Sequence, residues 1–568
     1  MPVTLLYLDF ETHYEPRGDY SLRHMPTLQY VRDARFECLG LAIRHGDRPT
    51  AWIKPGMVRE WAAFVDWDKT VAVAHNASFD GAILADRFGH RPAFWLDTKA
   101  WTSYAISQGV LPADARTNLA WWGEFLGMAK GDTEQAVGAG GDELAEYGKR
   151  DVEIMIKVHH WLNRHCPLTD LELRAIDLHV RMATEPRLAL DTALLQSLAT
   201  QVAPEAAILR KRDAFAQALR HYGVEPGVKT SPRTGKQTYA FAKSDAFMQS
   251  LMTHPDARVR LLHELRTEGA STIVASRAQR LLDVGEPCPS PLIYYGAHTG
   301  RASGADKMNM QNLPRGDFRN ALMAPPGKVL IVADYSQIEA RVVMWGAQDP
   351  YGLSLFQSGR DPYREFAANE MYNCAYDEVD TEMRRRAKPP VLALGFFQGC
   401  NGLVTYAAGI GVTMDHREAE PIHAEWHRRR PVWREWGRAL HREAVNNGEL
   451  TLPSGRKLTY PDITAHGRDV SYLRHKIFSK TAGRDRANLW HGLVVENWTQ
   501  AVARDIIYHA AVRMPCPVVM MVHDEVVMVG TEDDVPAVRE AMLTLPAWAE
   551  GLPVACEIST ATRYGEAK

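Results

Sequence analysis

The chain has 568 residues, enough at about 150 per domain for three or four domains, each able to bury its own core. Hydrophobic residues make up 46% and charged residues 24%, and no long low-complexity tract is present, which excludes wholesale disorder. The 66 Lys and Arg stand against 69 Asp and Glu, a formal net charge of −3 that excludes a uniformly basic coat but not a basic groove over an acidic floor.

Residues 1–165 alternate short apolar runs with helical patterns. Residues 4–10, 38–43 and 71–74 read as strands, and 79–88 and 142–162 have helical spacing, an α/β signature. A boundary is expected at Cys166-Pro167. Residues 168–285 are mostly helical, interrupted by the cationic turn-former run KTSPRTGKQT at 229–238. The window 201–290 is locally basic, with thirteen Lys and Arg against nine Asp and Glu. From 291 onward strands and long helices mix with no repeat period. Cys38, Cys166, Cys288, Cys374, Cys400, Cys516 and Cys556 are scattered with no CxxC spacing, the pattern of free thiols rather than a disulfide framework or a Cys-based zinc site. The start MPVTLLYLDFET lacks the basic region and apolar length of a signal peptide, and no stretch approaches the ~20 apolar residues of a membrane span. A soluble, cytoplasmic protein is expected.

Asp9 and Glu11 lie two apart on the first strand and so project from one face. HNASFD places Asp80 at a helix start, and EYGKRD places Tyr147 and Asp151 at i and i+4 on one helical face. Alone, the first pair reads as a solvated strand edge and the last as a surface helix contact. Together on an α/β background, four hard oxygen ligands suit Mg²⁺ or Mn²⁺ rather than zinc. Asp9, Glu11, Asp80, Tyr147 and Asp151 resemble the three motifs of the DEDDy proofreading exonucleases, which have an RNase H-like fold. That resemblance implies two metals held by Asp9, Glu11, Asp80 and Asp151, a water oriented by Tyr147, a DNA 3′ end held by Asn76 and Phe79, and 3′–5′ exonuclease activity.

A second constellation spans the rest of the chain. VLIVADYSQIEAR delivers Asp334 at the end of an apolar strand, and PVVMMVHDEVVMV sets His523, Asp524 and Glu525 between two apolar runs. Between them MRRRAKPPVLALGFFQG spaces Arg384, Lys388, Leu392 and Phe396 by four, cations leading and apolar groups following. Taken singly, these read as a hairpin tip with solvated acids and a buried helix with a basic end. In this order they resemble motifs A, B and C of family A DNA polymerases, best the phage and plasmid type without a 5′-nuclease domain. HTGRASGADKMNMQNLPR (residues 298–315), LPSGRKLTY (452–460), ENWTQAVARDII (496–507) and the C-terminal WAEGLPVACEISTATRYG extend the likeness over nearly the whole chain.

The resemblance implies an α/β multidomain chain: an RNase H-like exonuclease domain over 1–165, a thumb over 166–290, a first palm part over 291–345, fingers over 346–489 and a second palm part over 490–568. It implies that Asp334 and Asp524 bind two Mg²⁺ ions, replaceable by Mn²⁺, with Glu525 supporting the site. Arg384 and Lys388 would hold the triphosphate, Lys388 as proton donor to pyrophosphate. Glu339 matches the steric gate against ribose, and Gln337, Tyr363 and Phe396 complete the nucleotide site. Arg301, Gln311, Asn312, Gln500 and His523 would contact the primer–template, in the minor groove near the primer terminus for Arg301, Gln500 and His523, where acceptors are nearly sequence-independent. Lys229, Arg233, Lys236, Arg277 and Arg280 are candidate thumb contacts to phosphate. Partners implied are primer–template DNA and dNTPs, with a helicase or single-strand binding protein alongside a monomeric enzyme in the cytoplasm of a bacterial host.

Four departures stand out. Phe396 replaces the Tyr most relatives have, Tyr363 replaces a common His, and one extra residue lies between TGR and QN. Pro389 and Pro390 follow Lys388 directly, and at about 3 kcal/mol each inside a helix they predict that the nucleotide-binding helix breaks or starts at 388–390. A stand-alone DEDD-class RNA-processing nuclease, a single-subunit RNA polymerase or reverse transcriptase, and a non-catalytic DNA-binding scaffold are the competing readings; the first leaves Asp334, Lys388 and Asp524 unexplained, the second leaves the exonuclease acids unexplained, and the third leaves both sets unexplained.

Overall fold

The computed structural model describes residues 4–567 except 201–208, 210, 231–234, 243–244, 267–271, 315, 468 and 479–484. Arg233 and Arg315 therefore lie outside the described residues.

The N-terminal part is built on a five-stranded sheet of β1 (Thr4–Thr12), β2 (Cys38–His45), β3 (Ala51–Ile53), β4 (Thr70–Ala74) and β5 (Phe94–Asp97), ordered β3-β2-β1-β4-β5. β1 runs antiparallel to β2 and parallel to β4, and β5 is parallel to β4. The two-residue period of a strand splits β1 cleanly. Leu6, Leu8 and Phe10 enter one core, while Tyr7, and with it Asp9 and Glu11, face the other side. Helix α1 (Ala77–Phe88) follows β4 and carries Asp80 in its first turn. Helices α2 (Leu119–Phe125) and α3 (Thr133–Ala139) flank a loop that leads into α4 (Gly141–His165). α4 lies across the Asp9 face of the sheet, fastened by the Tyr7 hydroxyl 2.6 Å from His159 Nδ1. Helix α5 (Asp170–Thr184) follows directly.

Residues 209–266 include a group of short helices and a hairpin, Val228–Thr230 with Gln237–Tyr239. They gather around a small separate core of Phe215, Leu219, Phe241, Met248, Leu251 and Val259.

The C-terminal half centres on an antiparallel sheet of β6 (Val329–Tyr335), β7 (Val518–Val522), β8 (Glu525–Gly530) and β9 (Cys556–Ala561), ordered β7-β8-β6-β9. β6, β7 and β8 are rich in Val, Ile and Met and buried on both faces, whereas the edge strand β9, CEISTA, is only partly buried. Helix α6 (Ile338–Ala347) leaves β6, and α7 (Thr381–Ala393) lies in an all-helical region with its own core. Helix α8 (His491–Ala511) packs behind the sheet and is buried along nearly its whole length.

The expected break at 388–390 is not found. α7 runs unbroken from Thr381 through Pro389 and Pro390 to Ala393, then tightens into a 3₁₀ turn over Leu394–Phe396. Both prolines are buried within this all-helical region, so packing offsets the two missing backbone donors. Asp380 caps the start by accepting from Met383 N at 2.8 Å.

The segment holding the extra residue also has a clear role. Asp306, Lys307 and Asn309 all take left-handed backbone, with φ of 52°, 59° and 39°. The bulge lets Asp306 accept from Thr27 N and lets Lys307 Nζ reach Leu22 O at 2.6 Å, clamping the C-terminal half to the five-stranded sheet domain.

Candidate active sites

The first site lies on the α4 side of the N-terminal sheet. Carboxylate oxygens of Asp9, Glu11 and Asp151 lie within 4.8 Å of one another. Asp80 stands beside them but is engaged with the backbone, accepting from Phe10 N at 3.0 Å. Burial, then the Asp151 charge, pushes the Asp9 carboxyl up to about 7 against the pull of Lys130. Burial followed by the Asp9 charge likewise raises Glu11 and Asp80 well above the ordinary carboxylate range. Like charges held together out of water are costly unless a cation joins them. Asp151 Oδ1 is buried with no hydrogen-bond partner. An orphaned oxygen in a nest of hard acids that outnumber their one nearby cation fits a divalent ion.

The remaining sequence-predicted residues sit around this nest. Tyr147 shares the inner face of α4 with Asp151, and its hydroxyl is 2.7 Å from Thr133 Oγ1. Asn76 caps α1 in left-handed backbone with φ 87°, and Lys99 Nζ donates to its Oδ1 at 3.1 Å. Phe79 packs at a tilt on Tyr30 with ring centroids 6.1 Å apart. One residue at the site has no sequence signal. Lys130, on the loop between α2 and α3, places Nζ 2.5 Å from Asp151 Oδ2.

The second site lies at the end of the palm-like sheet. Asp334 is opposite Glu525 in the β6–β8 register, and Glu525, nearly fully buried, accepts from the Tyr564 hydroxyl at 2.7 Å. β7 and β8 are joined by the two-residue turn His523-Asp524, with His523 left-handed at φ 54° as a tight hairpin requires. Tyr335 N donates to Asp524 O at 3.3 Å, which pins the turn beside Asp334. Gln311, Asn312, Asp334, His523, Asp524 and Glu525 line one open cleft of about 1440 Å³. Burial pushes the Asp524 carboxyl up to about 6; Arg301 opposes this, while Glu339 and Asp334 add to it. Arg301 bridges two acids, 2.7 Å from Glu339 and 3.2 Å from Asp524. A raised carboxyl among like charges with a tethered cation against it fits divalent metal here too.

In the all-helical region, Arg384 and Lys388 both sit over the Tyr363 ring, at 5.3 and 5.7 Å. Arg384 Nε also donates to Asp361 at 2.6 Å. Glu339 and Phe396 line a shared cavity of about 1030 Å³ with Tyr406, Gln398 and Glu496. Gln337, left-handed at φ 50°, starts α6, and its side chain accepts from Arg341 at 3.4 Å. Gln500, on α8, donates to Glu496 at 3.2 Å.

The candidate phosphate contacts are engaged locally. Lys229 pairs with Asp245 at 2.6 Å, Arg277 donates to Asn312 O, and Arg280 donates to Lys307 O at 2.6 Å. Lys236 is exposed beside the hairpin.

Sequence reasoning missed Lys130 and a buried charge network behind the second site, formed by Glu172, Arg456, Arg504 and Asp505. The network had a trace: an Arg-Asp pair inside the apolar helix ENWTQAVARDII. Lys130 had none, being one cation in a Gly-containing loop.

Comparison with known proteins identifies the family. The family model for DNA polymerase family A matches residues 227–566. DNA polymerase I of Pseudomonas aeruginosa is 30% identical over 281 residues, covering 48% of this chain and 29% of its own length. The thermostable DNA polymerase I of Thermus aquaticus is 26% identical over 402 residues, covering 66% of this chain and 45% of its own. The DNA polymerase of Bacillus phage SP02 is 28% identical over 280 residues, 42% of this chain and 41% of its own. The chain thus spans less than half the length of these relatives. The POL domain of Pol1 from M. smegmatis, solved with DNA primer-template and dNTP, shares the fold with a TM-score of 0.70 at 18% identity, over 100% of this chain and 96% of that one. The chain belongs to DNA polymerase family A.

Proposed function

We propose that the protein is a template-directed DNA polymerase with a 3′–5′ proofreading exonuclease, replicating a phage or plasmid genome. The observation that carries the reading is that Asp334 and Asp524, far apart in sequence, line one cleft facing the steric-gate position Glu339 through Arg301. Membership of the polymerase family and the likeness to a phage polymerase support it. For the second activity the support is the convergence of Asp9, Glu11 and Asp151 under Tyr147 on a sheet ordered β3-β2-β1-β4-β5. Among the described residues no helix is long and apolar enough to cross a membrane. The domain division given by the sequence is retained, as are the DNA, dNTP and replication-protein partners.

In this reading Asp334 and Asp524 hold two divalent ions at one site, and Asp9, Glu11, Asp80 and Asp151 hold two at the other. Such ions, when bound, activate an attacking oxygen and neutralise a leaving one. The chain's own groups do the rest. Arg384 and Lys388 clamp the triphosphate, and Lys388 donates a proton to pyrophosphate. Glu339 fills the space a ribose 2′-hydroxyl needs, and Phe396 stacks near the templating base or the nascent pair. Arg301, Gln311, Asn312, Gln500 and His523 hold the primer–template. Tyr147 orients the attacking water at the exonuclease site, while Asn76 and Phe79 seat the frayed 3′ end.

Two substitutions separate the activities. Asp524→Ala abolishes primer extension with dNTPs and leaves degradation of a 3′ end intact; Asp9→Ala does the reverse. Wild-type extension by Asp524→Ala would remove the polymerase reading.

A further inference from the structure

Lys130 stands where neither motif set predicts a residue. Its ammonium is 2.5 Å from Asp151 Oδ2 and 5.2 Å from the centre of the Tyr147 ring. The Asp151 side chain is 4% exposed, but that of Lys130 is 22% exposed, so part of the Lys130 side chain stays accessible to solvent. The loop carrying it is braced on both sides. Met128 N donates to Gly123 O at 2.7 Å, and Asp132 caps α3 by accepting from Gln135 N at 2.9 Å. Gly131 passes so close to Tyr147 that a Cβ there would lie 3.2 Å from the ring. Lys130 is therefore delivered to the acids by a fixed backbone. It occupies only one Asp151 oxygen, and the buried Oδ1 remains without a partner.

We propose that Lys130 is a third cation of the 3′–5′ exonuclease site: the counter-ion of Asp151 before metal arrives, and the partner of the scissile phosphodiester once DNA is bound. This rests on the exonuclease reading of residues 1–165. Charge balance argues for it. Asp9, Glu11, Asp80, Asp151 and one phosphodiester carry five negative charges, two divalent ions supply four positive ones, and Lys130 supplies the fifth. The phosphoryl group gathers negative charge in the transition state, where a fixed ammonium in a half-buried site acts most strongly. Because it holds Oδ2 and not Oδ1, it need not be expelled for Asp151 to ligate.

The test uses the full chain with Lys130→Met and Lys130→Arg, both carrying Asp334→Ala and Asp524→Ala for the metal-binding arm so that the polymerase site is silent. Mn²⁺ alone is titrated by electron paramagnetic resonance. Degradation of a 5′-labelled single strand is followed at saturating Mn²⁺, with primer extension by the single Lys130 variants as the check on folding. Lys130→Met is expected to bind Mn²⁺ about 3- to 10-fold more tightly, since a repelling charge is gone. It is also expected to degrade DNA about 10- to 100-fold more slowly. Lys130→Arg retains most of the rate, and extension stays within about twofold of wild type for both. An unchanged degradation rate overturns the proposal. So does weaker Mn²⁺ binding, the signature of a clip that merely orients Asp151. If Asp9→Ala still degrades 3′ ends, the exonuclease reading fails separately, and the Mn²⁺ titration still decides whether Lys130 repels a bound cation.

Discussion

The buried network behind the polymerase site offers the sharpest test of how this fold is held. Glu172 on α5 receives both Arg504 Nη1 and Nη2, at 2.6 and 2.8 Å, along with the Tyr294 hydroxyl. Asp505 pairs with Arg456 at 2.7 Å and with Arg504 at 3.1 Å, and all four side chains are at most 4% exposed. Burial alone would raise the Glu172 carboxyl; the charge and hydrogen bonds of Arg504, the charge of Arg456 and the Tyr294 hydroxyl together outweigh it and hold the carboxyl below its ordinary value. The two arginines also hold the loop that delivers Arg301: Arg504 donates to Gly300 O at 3.3 Å and Arg456 to Thr299 O at 3.4 Å. Glu172→Gln keeps the shape but leaves two buried cations facing one anion. Removing one partner of a buried pair costs about 3–5 kcal/mol, a large share of the 5–15 kcal/mol that typically holds a domain folded. Arg504→Met strips the other side at a similar cost. Because both deletions break the same bonds, the double variant should cost at least about 2 kcal/mol less than the sum of the singles. Urea unfolding followed by circular dichroism and tryptophan fluorescence measures all three. Single costs under about 1 kcal/mol, or costs that simply add, would refute the idea that these charges act as one buried unit.

Three further outcomes are expected. His179 is buried beside Arg504 and its imidazole is pushed down to about 3, by burial first and then by Arg504. The unfolded chain therefore binds a proton that the folded chain does not between about pH 6.5 and 3, so His179 destabilises the fold by about 2 kcal/mol at pH 5, and His179→Gln should flatten the acid decline of the urea midpoint by that amount. An unchanged pH slope would show that His179 is not neutral in the fold. Glu339→Ala should lower discrimination against ribonucleotides by about 10- to 100-fold in paired rNTP and dNTP incorporation assays, the range that one lost steric contact supports; unaltered discrimination would place the gate elsewhere. Asp306→Ala removes the acceptor for Thr27 N and its hydroxyl. It should cost about 1–3 kcal/mol and speed proteolysis between the two halves, readable by limited digestion.

Acids were legible in the sequence only as sets: each pair alone reads as a solvated strand edge or a hairpin tip, and it is their order and spacing together that point to metal sites. The β1 alternation, the α4 face carrying Tyr147 and Asp151, and the β7–β8 hairpin were all legible from period and spacing. The unbroken α7 was not, because local propensity cannot see that Pro389 and Pro390 are buried against the core around Phe366 and Leu403. Nor could period reveal what the bulge at 305–309 touches, since Thr27 is 279 residues from Asp306. Lys130 shows the same limit in the first site, and in the second the sequence marked Arg301 as a DNA contact but not its pairing with Glu339 and Asp524. A carboxylate cluster is visible as a motif, but the cation that balances it comes from a distant loop whose only requirement is reach.

That balance differs between the two sites, and the difference has a physical basis. Acids gathered for metal repel one another whenever metal is absent, so each site keeps a tethered cation against a proposed metal ligand. At the proposed exonuclease site Lys130 takes one oxygen of Asp151 and leaves the other orphaned, so an incoming metal would add to the pair without breaking it. At the polymerase site Arg301 is divided between Asp524 at 3.2 Å and Glu339 at 2.7 Å. The shorter contact is the one to the residue that holds no metal. A guanidinium with several donors can give up Asp524 and remain paired through Glu339, so the arrival of metal does not strand a bare charge in the cleft. Glu339 then has two duties in the proposed cycle, excluding ribose and holding Arg301 while Asp524 is occupied. A lysine at 301 would have a single compact charge to offer and would lose that shared grip.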